Sequence, residues 1–404
     1  MVLAVVGGGA SGMAAALAAA KQGCQVILLE RQARVGRKLQ ATGNGRCNLT
    51  NLSGTQGRYH GDQPEFSGYA LERFTPADTI AWFNSLGLFT VAEASGRVYP
   101  YSDQANSVLD VLRFAIEESG VQLLTDWEVS RVRKTASGFQ LDSVNGETIF
   151  CDKLIIACGG LAGTKLGGTM SGYKLLRALG HSVTKLRPTL VQLRSGWPGI
   201  AALKGVRANC AAALVHDNME VAASKGEVQF TDYGISGPVI FEISRDACVA
   251  PGQWMCRLDL LPEYSYQQLL DELARRQGTK LLTDDLLTGI LHNRLGRVLT
   301  QAAGIRSRVP VSDLTEEELR AVCDNVKAFE IIVTEPLGME SAQVTAGGVH
   351  TQEFDSHTME SKLVPGLYAC GEVLDVDGDC GGYNLQWAWS SGTLAGSCAG
   401  GGAE

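Results

Sequence analysis

The chemistry begins in a turn. Gly7-Gly8-Gly9-Ala10-Ser11-Gly12 sets glycines at the spacing Gly7-x-Gly9-x-x-Gly12, with which a chain receives a dinucleotide pyrophosphate on its backbone. Gly7 permits the tight turn, Gly9 lets the phosphates approach, and Gly12 lets a helix pack closely on a strand. The helix that follows would point free N–H groups and a positive dipole end at the phosphates. Glu30 closes the next apolar run, where a carboxylate accepts hydrogen bonds from ribose hydroxyls.

Arg31 to Lys38 and Leu39 to Asn48 then form one loop of glycines, small residues and cations. Backbone N–H groups and the heads of Arg31, Arg37, Lys38 and Arg46 suit an anionic cofactor there. A buried-type strand, Lys153 to Ala157, ends on Gly159 and Gly160, and a second, from Gly366, ends on Gly371-Glu372. Gly167 to Gly172 looks like another nucleotide loop. The strand after it, Ser182 to Leu186, ends near Lys185 and Arg187 rather than on an acid, so one dinucleotide site is expected. Between two helices, Gly96 to Ser102 is an extended piece rich in aromatic and cationic groups, fit to wall a pocket or simply to cross over. His350 and His357 are the closest histidine pair. They lack ligand spacing and a cysteine partner, so the histidines read as surface or structural groups and no metal is expected.

These residues need a scaffold. Val2 to Val6 and Gln25 to Leu29 read as strands around an Ala-rich helix, Met13 to Gln22. Helices are expected from Thr75-Pro76 and over Asn106 to Ser119, then a parallel-type strand at Val121 to Thr125. Val129 to Arg133, Phe139 to Val144 and Thr148 to Cys151 read as an antiparallel meander with its turn at Asn145-Gly146. After Arg187-Pro188 the pattern changes to strand-like pieces between Gly and Asn turns, a barrel or sandwich, with Phe230 to Pro238 an odd segment within it. Helices follow at about 265–277, 284–302 and 315–328, two of them opened by capping-box pairs, Ser265 with Gln268 and Thr315 with Glu318. Leu385 to Ala395 reads as the final helix. The Gly-rich C-terminal strand and helix have no partner in residues 190–340, so that stretch is expected to be an insertion in a discontinuous first domain.

Composition bounds the rest. Net charge is −8 and no basic block occurs, which argues against nucleic acid or an anionic membrane as main partner. No basic residue precedes the first apolar run and glycines break it, so a signal peptide is not expected. No apolar run approaches the ~20 residues of a membrane span. Eleven cysteines without a CxxC fit reduced thiols and a cytoplasmic location.

Taken together, Gly7 to Gly12, Thr42 to Asn51, Phe230 to Pro238, Val344 to Val349 and Gly371 to Gln386 resemble one family across the whole chain. It is the aminoacetone-oxidase-like or BaiN-like family of FAD-dependent oxidoreductases, within the glutathione-reductase-like superfamily. The resemblance implies an α/β fold: a Rossmann-type FAD-binding domain (1–187 and 341–404) interrupted by a β-barrel (188–262 and 329–340) that carries a small helical insert (263–328). It implies that Gly7, Gly8, Gly9, Ala10, Ser11, Gly12 and Glu30 hold the ADP half of FAD. Arg31, Arg37, Lys38, Thr42, Gly43, Gly45, Arg46, Cys47 and Asn48 would follow the phosphates and flavin, and Val129 would meet the adenine through its backbone. Ala157, Gly159, Gly160, Gly371, Glu372 and Asp377 would complete the cofactor site. Gly382, Tyr383, Asn384, Leu385 and Gln386 would open the last helix against the flavin pyrimidine. The expected substrate residues are Arg97, Tyr99, Tyr233 and Tyr383 as walls, with Thr345 and Gly348, and Tyr383 is expected either to donate the proton or only to pack on the flavin ring.

Three functions follow from this reading. One is reduction of a conjugated C=C bond in an oxo-steroid or bile-acid-like molecule, with NADH or NADPH as transient donor. A second is oxidation of a small amine by O₂. The third is a flavin-bound binding or regulatory protein without turnover, which the acidic balance disfavours if the partner is RNA.

Overall fold

The computed structural model describes residues 1–401; the last positions of the expected first domain, 402–404, lie outside the described residues. The chain divides into two compact units: Met1–Arg187 with the chain from Gln343 onward, and Pro188–Ala342.

The first unit is built on a five-stranded parallel sheet. Its order is Leu367–Ala369, Lys153–Ile156, Val2–Val6, Gln25–Leu29, Gln122–Leu124. The central strand is a continuous apolar run because helices cover both faces of such a sheet. The first helix, Ala10–Lys21, and the last, Tyr383–Ala399, meet backbone to backbone. A β-carbon at Gly392 would lie 2.4 Å from the Ser11 carbonyl oxygen, and one at Gly396 would lie 2.2 Å from that of Ala15. The final helix is thereby fixed against the helix that follows the glycine turn. The meander forms as expected, Val129–Lys134, Phe139–Ser143 and Thr148–Cys151, with Gly146 at φ +87 in its turn. The strand expected over Ser182 to Leu186 reduces to one bridge, Val183 to Val349. Ser182 spends its backbone N–H on the Glu353 carboxylate instead of a ladder.

The second unit is a closed antiparallel barrel. Its strands run Leu193–Ser195, Gly234–Ser236, Met219–Phe230, Arg207–His216, Trp254–Asp259 and Phe329–Pro336 around the ring. Helices Tyr266–Arg276, Asn293–Ala302 and Glu316–Lys327 share its core: Leu273, Leu299 and Val322 are fully buried in one cluster with Leu258 and Cys256. Both capping boxes form. The helix expected over 284–302 is shorter. A 3-10 turn at Thr283–Asp285 stops, Gly289 sits at φ +81, and the helix starts only at Asn293. The fold class is α/β with a Rossmann-type domain and a barrel, as the sequence implied.

Candidate functional site

The glycine turn divides its labour. A β-carbon at Gly12 would lie 1.8 Å from the Gly7 carbonyl oxygen, and one at Gly7, φ +112, would lie 2.4 Å from that of Ala157. These two glycines close the strand–helix joint. Gly9, the N-cap of the first helix, has φ −83 and nothing within 4 Å of where its β-carbon would be. It faces open space above unpaired helix N–H groups, an anion cradle. Glu30 borders that space. Its Oε2 accepts from Gly8 N and its Oε1 from Gln32 N, both at 2.8 Å. Burial raises the Glu30 pKa, and the bonds from Gln32 and Gly8 pull against that rise. Val129, buried, opens the meander two residues after Trp127, whose N–H bonds the Glu30 carbonyl.

A second set of residues ties distant loops together. Lys38 Nζ lies 2.7 Å from Glu372 Oε2. Glu372 Oε1 accepts from Thr345 N at 2.8 Å, and Thr345 Oγ1 accepts from Ala162 N at 2.8 Å. A β-carbon at Gly160 would meet both Thr345 and Glu372 within 2.6 Å. Gly371, at φ +75, packs on Ser11 and donates to Ser391 Oγ. Arg31 reaches the Gly167 carbonyl at 3.0 Å, while Arg37 bonds Gln32 at the surface. Gly348 is held by Thr184 and packs on Leu374.

The Thr42–Asn48 turn winds through positive φ at Gly43, Asn44, Gly45 and Cys47. Thr42 Oγ1 caps the Leu39 carbonyl. Cys47 is fully buried, and burial pushes its thiol up to about 12. Asn48 is buried, and its Oδ1 has no hydrogen-bond partner. That oxygen would lie 2.9 Å from a β-carbon at Gly382, so it faces the start of the last helix.

At this start, Tyr383 is buried. Its ring stands edge-on to Tyr59 at 6.2 Å, and Tyr59 OH donates to the Tyr383 carbonyl at 3.0 Å. The Arg58 guanidinium lies 5.7 Å from the same ring. Asp379 accepts from Arg58 at 3.2 Å and pairs with His60 Nε2 at 2.7 Å. Strand Tyr59–His60 pairs antiparallel with Asp377–Gly378, His60 opposite the buried Asp377.

A profile of the HI0933-like protein Rossmann domain matches residues 1–398. The chain belongs to the HI0933-like family. It is similar, at 39% identity over 404 residues, to the 3-dehydro-bile acid delta(4,6)-reductase of Clostridium scindens, covering 98% of each chain. It is 35% identical over 387 residues to the ribosomal RNA dihydrouridine synthase of Escherichia coli, covering 96% of this chain and 95% of the relative. A protein of the same name from Haemophilus influenzae is 30% identical over 402 residues, with 96% and 95% covered. The chain is an FAD-dependent oxidoreductase, and among the described residues no helix is long and apolar enough to cross a membrane.

Within this HI0933-like chain, not every expected residue is available to a ligand. Gln386 is fully buried and its amide is spent: Oε1 accepts from Thr50 at 2.5 Å and Thr79 at 2.9 Å, and Nε2 donates to Phe74 O and Ser390 Oγ. Its N–H bonds the Gly382 carbonyl. The Gln386 side chain is therefore engaged within the protein, where it pins the helix. Asn384 likewise spends its side chain on Gly378 and Asp379, which leaves only its backbone for a cofactor. Arg46 turns to Asp103 and Glu93, and its guanidinium lies 3.9 Å over the Tyr99 ring. Arg97 lies against Gly381, so Arg97, Tyr99 and Tyr383 gather in the first unit. Tyr233 belongs to the barrel unit, its ring 5.5 Å from the Arg194 guanidinium. The pair His60–Asp379 was not legible: its members are 319 positions apart, and only the short strand pairing joins them.

Proposed function

We propose that this chain reduces a C=C bond conjugated to a carbonyl, with FAD as carrier and NADH or NADPH as electron source. The observation that carries the reading is the whole-length likeness to relatives whose names share one transformation. A 3-dehydro-bile acid delta(4,6)-reductase and a dihydrouridine synthase both saturate such a bond. When bound, FAD supplies a hydride at N5 to the β-carbon of the substrate. The chain's own residues do the holding. Gly9 and the first-helix N–H groups receive the pyrophosphate, and Glu30 accepts from ribose hydroxyls with its remaining lone pairs. Asn48 Oδ1 offers an unused acceptor for the imide N–H of the ring. The N-terminus of Tyr383–Ala399 would stabilise negative charge gathering on the reduced ring, worth about 0.3–1 kcal/mol, more when buried.

The substrate we favour is an oxo-steroid or bile-acid-like small molecule. Three cations near the site are paired with acids: Lys38 with Glu372, Arg46 with Asp103 and Glu93, Arg58 with Asp379. With a net charge of −8, this leaves little positive field for a phosphate backbone. The two ribosomal-RNA-named relatives support the other reading, a uridine in RNA, against the expectation of no nucleic-acid partner. The test is product analysis under anaerobic conditions with NADH or NADPH. A steroid enone should gain two hydrogens by mass spectrometry; gain only in a uridine oligonucleotide would move the substrate to RNA. Peroxide from an amine in air, with no product from either enone, would overturn the reading.

A further inference from the structure

The acidic net charge hides a stretch of opposite sign. From Leu286 to Ser312 the chain has four arginines and no Asp or Glu. The helix Asn293–Ala302 exposes Arg294 and Arg297, one turn apart on one face, while Leu295, Gly296, Leu299 and Thr300 are buried behind them. Arg306 and Arg308 follow in the next loop, both exposed. The turn Thr283–Asp285 draws helix and loop together. Thr283 Oγ1 donates to the Arg306 carbonyl at 2.7 Å, and Arg308 N donates to Asp284 Oδ2 at 3.0 Å. Arg297 Nε reaches the Asp284 carbonyl at 3.3 Å.

Little of this charge is neutralised. Asp285 lies 3.6 Å from Arg297, and Arg294 gives one N–H to the Lys204 carbonyl at 3.1 Å. Among the described residues the guanidinium groups of Arg306 and Arg308 make no ion pair and no hydrogen bond. Two of the four positions also cost the free protein something. Arg308 is held at φ +59, a region side chains other than glycine seldom adopt. Arg294 stands in the first turn of its helix, where the dipole disfavours a cation.

We infer that this face of the second unit is a docking surface for an RNA strand, held through its phosphates. Guanidinium forks suit phosphate oxygens. The cations are spread along a helix and a loop, which fits a linear polyanion. From Leu286 to Ser312 no large apolar side chain is exposed among the described residues, so a lipid surface would find nothing to bury. The choice of RNA among polyanions rests on the uridine reading above. The cations around the cofactor cradle that are paired with acids are not part of this face.

The test is fluorescence anisotropy of a fluorescein-labelled single-stranded oligouridylate with the full FAD-loaded chain. Wild type is compared with Arg306→Ala/Arg308→Asn; asparagine tolerates the positive φ. The control is Lys174→Ala/Arg177→Ala, which removes two exposed cations from the helix Ser171–Ala178. Flavin content and melting report folding. For wild type the log of the binding constant should fall with log salt at a slope of about −3, four phosphates at about −0.7 each. The arginine variant should halve that slope and bind roughly 10-fold more weakly at about 50 mM salt, and the control should match wild type. No RNA binding, equal binding in the arginine variant, or equal weakening in the control would overturn the inference. So would binding only to phosphatidylglycerol vesicles or to polyglutamate. Mass analysis of the uridines after NADH or NADPH separates the two readings. RNA that binds through the arginines but is not reduced leaves the surface standing and removes uridine as substrate. Uridine reduced by an arginine variant that binds like wild type does the reverse.

Discussion

Lys38 Nζ stands 2.7 Å from Glu372 Oε2, joining loops 334 positions apart in sequence. Glu372 also holds the Thr345 N–H, so one carboxylate fixes three segments around the cofactor cradle. Removing it leaves a part-buried cation and a backbone donor unpaired, a loss of roughly 1.5–3 kcal/mol. Glu372→Ala should therefore release FAD about 10–100-fold more readily. Flavin fluorescence on serial dilution reads this directly, and a variant that retains flavin like wild type would show that the pair is no clamp.

The glycine turn gives two opposite outcomes from similar changes. A β-carbon at Gly9 meets no protein atom within 4 Å, so Gly9→Glu apoprotein should melt like wild-type apoprotein and yet bind no FAD. Gly12→Ala drives a β-carbon to 1.8 Å from the Gly7 oxygen and should not yield a folded protein. Differential calorimetry with flavin content compares them. A Gly9→Glu protein that is yellow would remove the pyrophosphate from this cradle.

What was legible in the chain was local. The turn at Gly7 to Gly12, the strands around it and Glu30 all lie within thirty residues, and apolar runs with glycine punctuation mark them. Capping boxes are equally local, and both of those read from the sequence form. The internal role of the Gln386 side chain was not legible, because its partners, Thr50, Thr79 and Phe74, are more than 300 positions away. A polar residue at the start of a helix looks available until the packing that consumes it is known. The pairing of Arg46 with Asp103 and Glu93 was hidden in the same way. The His60–Asp379 pair depends on a strand pairing only two residues long, too short for any periodicity to announce.

Gln386 itself offers a test of that internal role. Gln386→Leu strips the acceptor from two buried threonine hydroxyls and the donor from the Phe74 carbonyl. The apoprotein should lose about 3 kcal/mol by urea unfolding. An unchanged unfolding midpoint with lost flavin affinity would return Gln386 to the cofactor site.

Acid sensitivity should trace to His181. Its Nδ1 meets Glu353 at 2.7 Å and its Nε2 meets Ser361 Oγ at 3.0 Å. This resembles a hydrolytic triad, but Ser361 is buried and also accepts from the Leu363 and Val364 N–H groups, so its role is structural. Burial lowers the His181 pKa below 6.5, more than the Glu353 bond raises it. The unfolded chain then binds the extra proton, so this contribution is present above about pH 6.5 and fades as pH falls toward the folded pKa. The urea midpoint should drop between pH 7.5 and 5.5, and His181→Gln should flatten that drop. An equal drop in the variant would assign the acid sensitivity elsewhere.

The central claim is that electrons pass from a nicotinamide through FAD to a conjugated C=C bond. Anaerobic rapid mixing of the yellow holoprotein tests it most directly. NADH or NADPH should bleach the flavin band, and a second mix with a steroid enone should restore it at one equivalent of product per flavin. A band that nicotinamide leaves untouched, but that a small amine bleaches and O₂ restores with peroxide, would contradict the account.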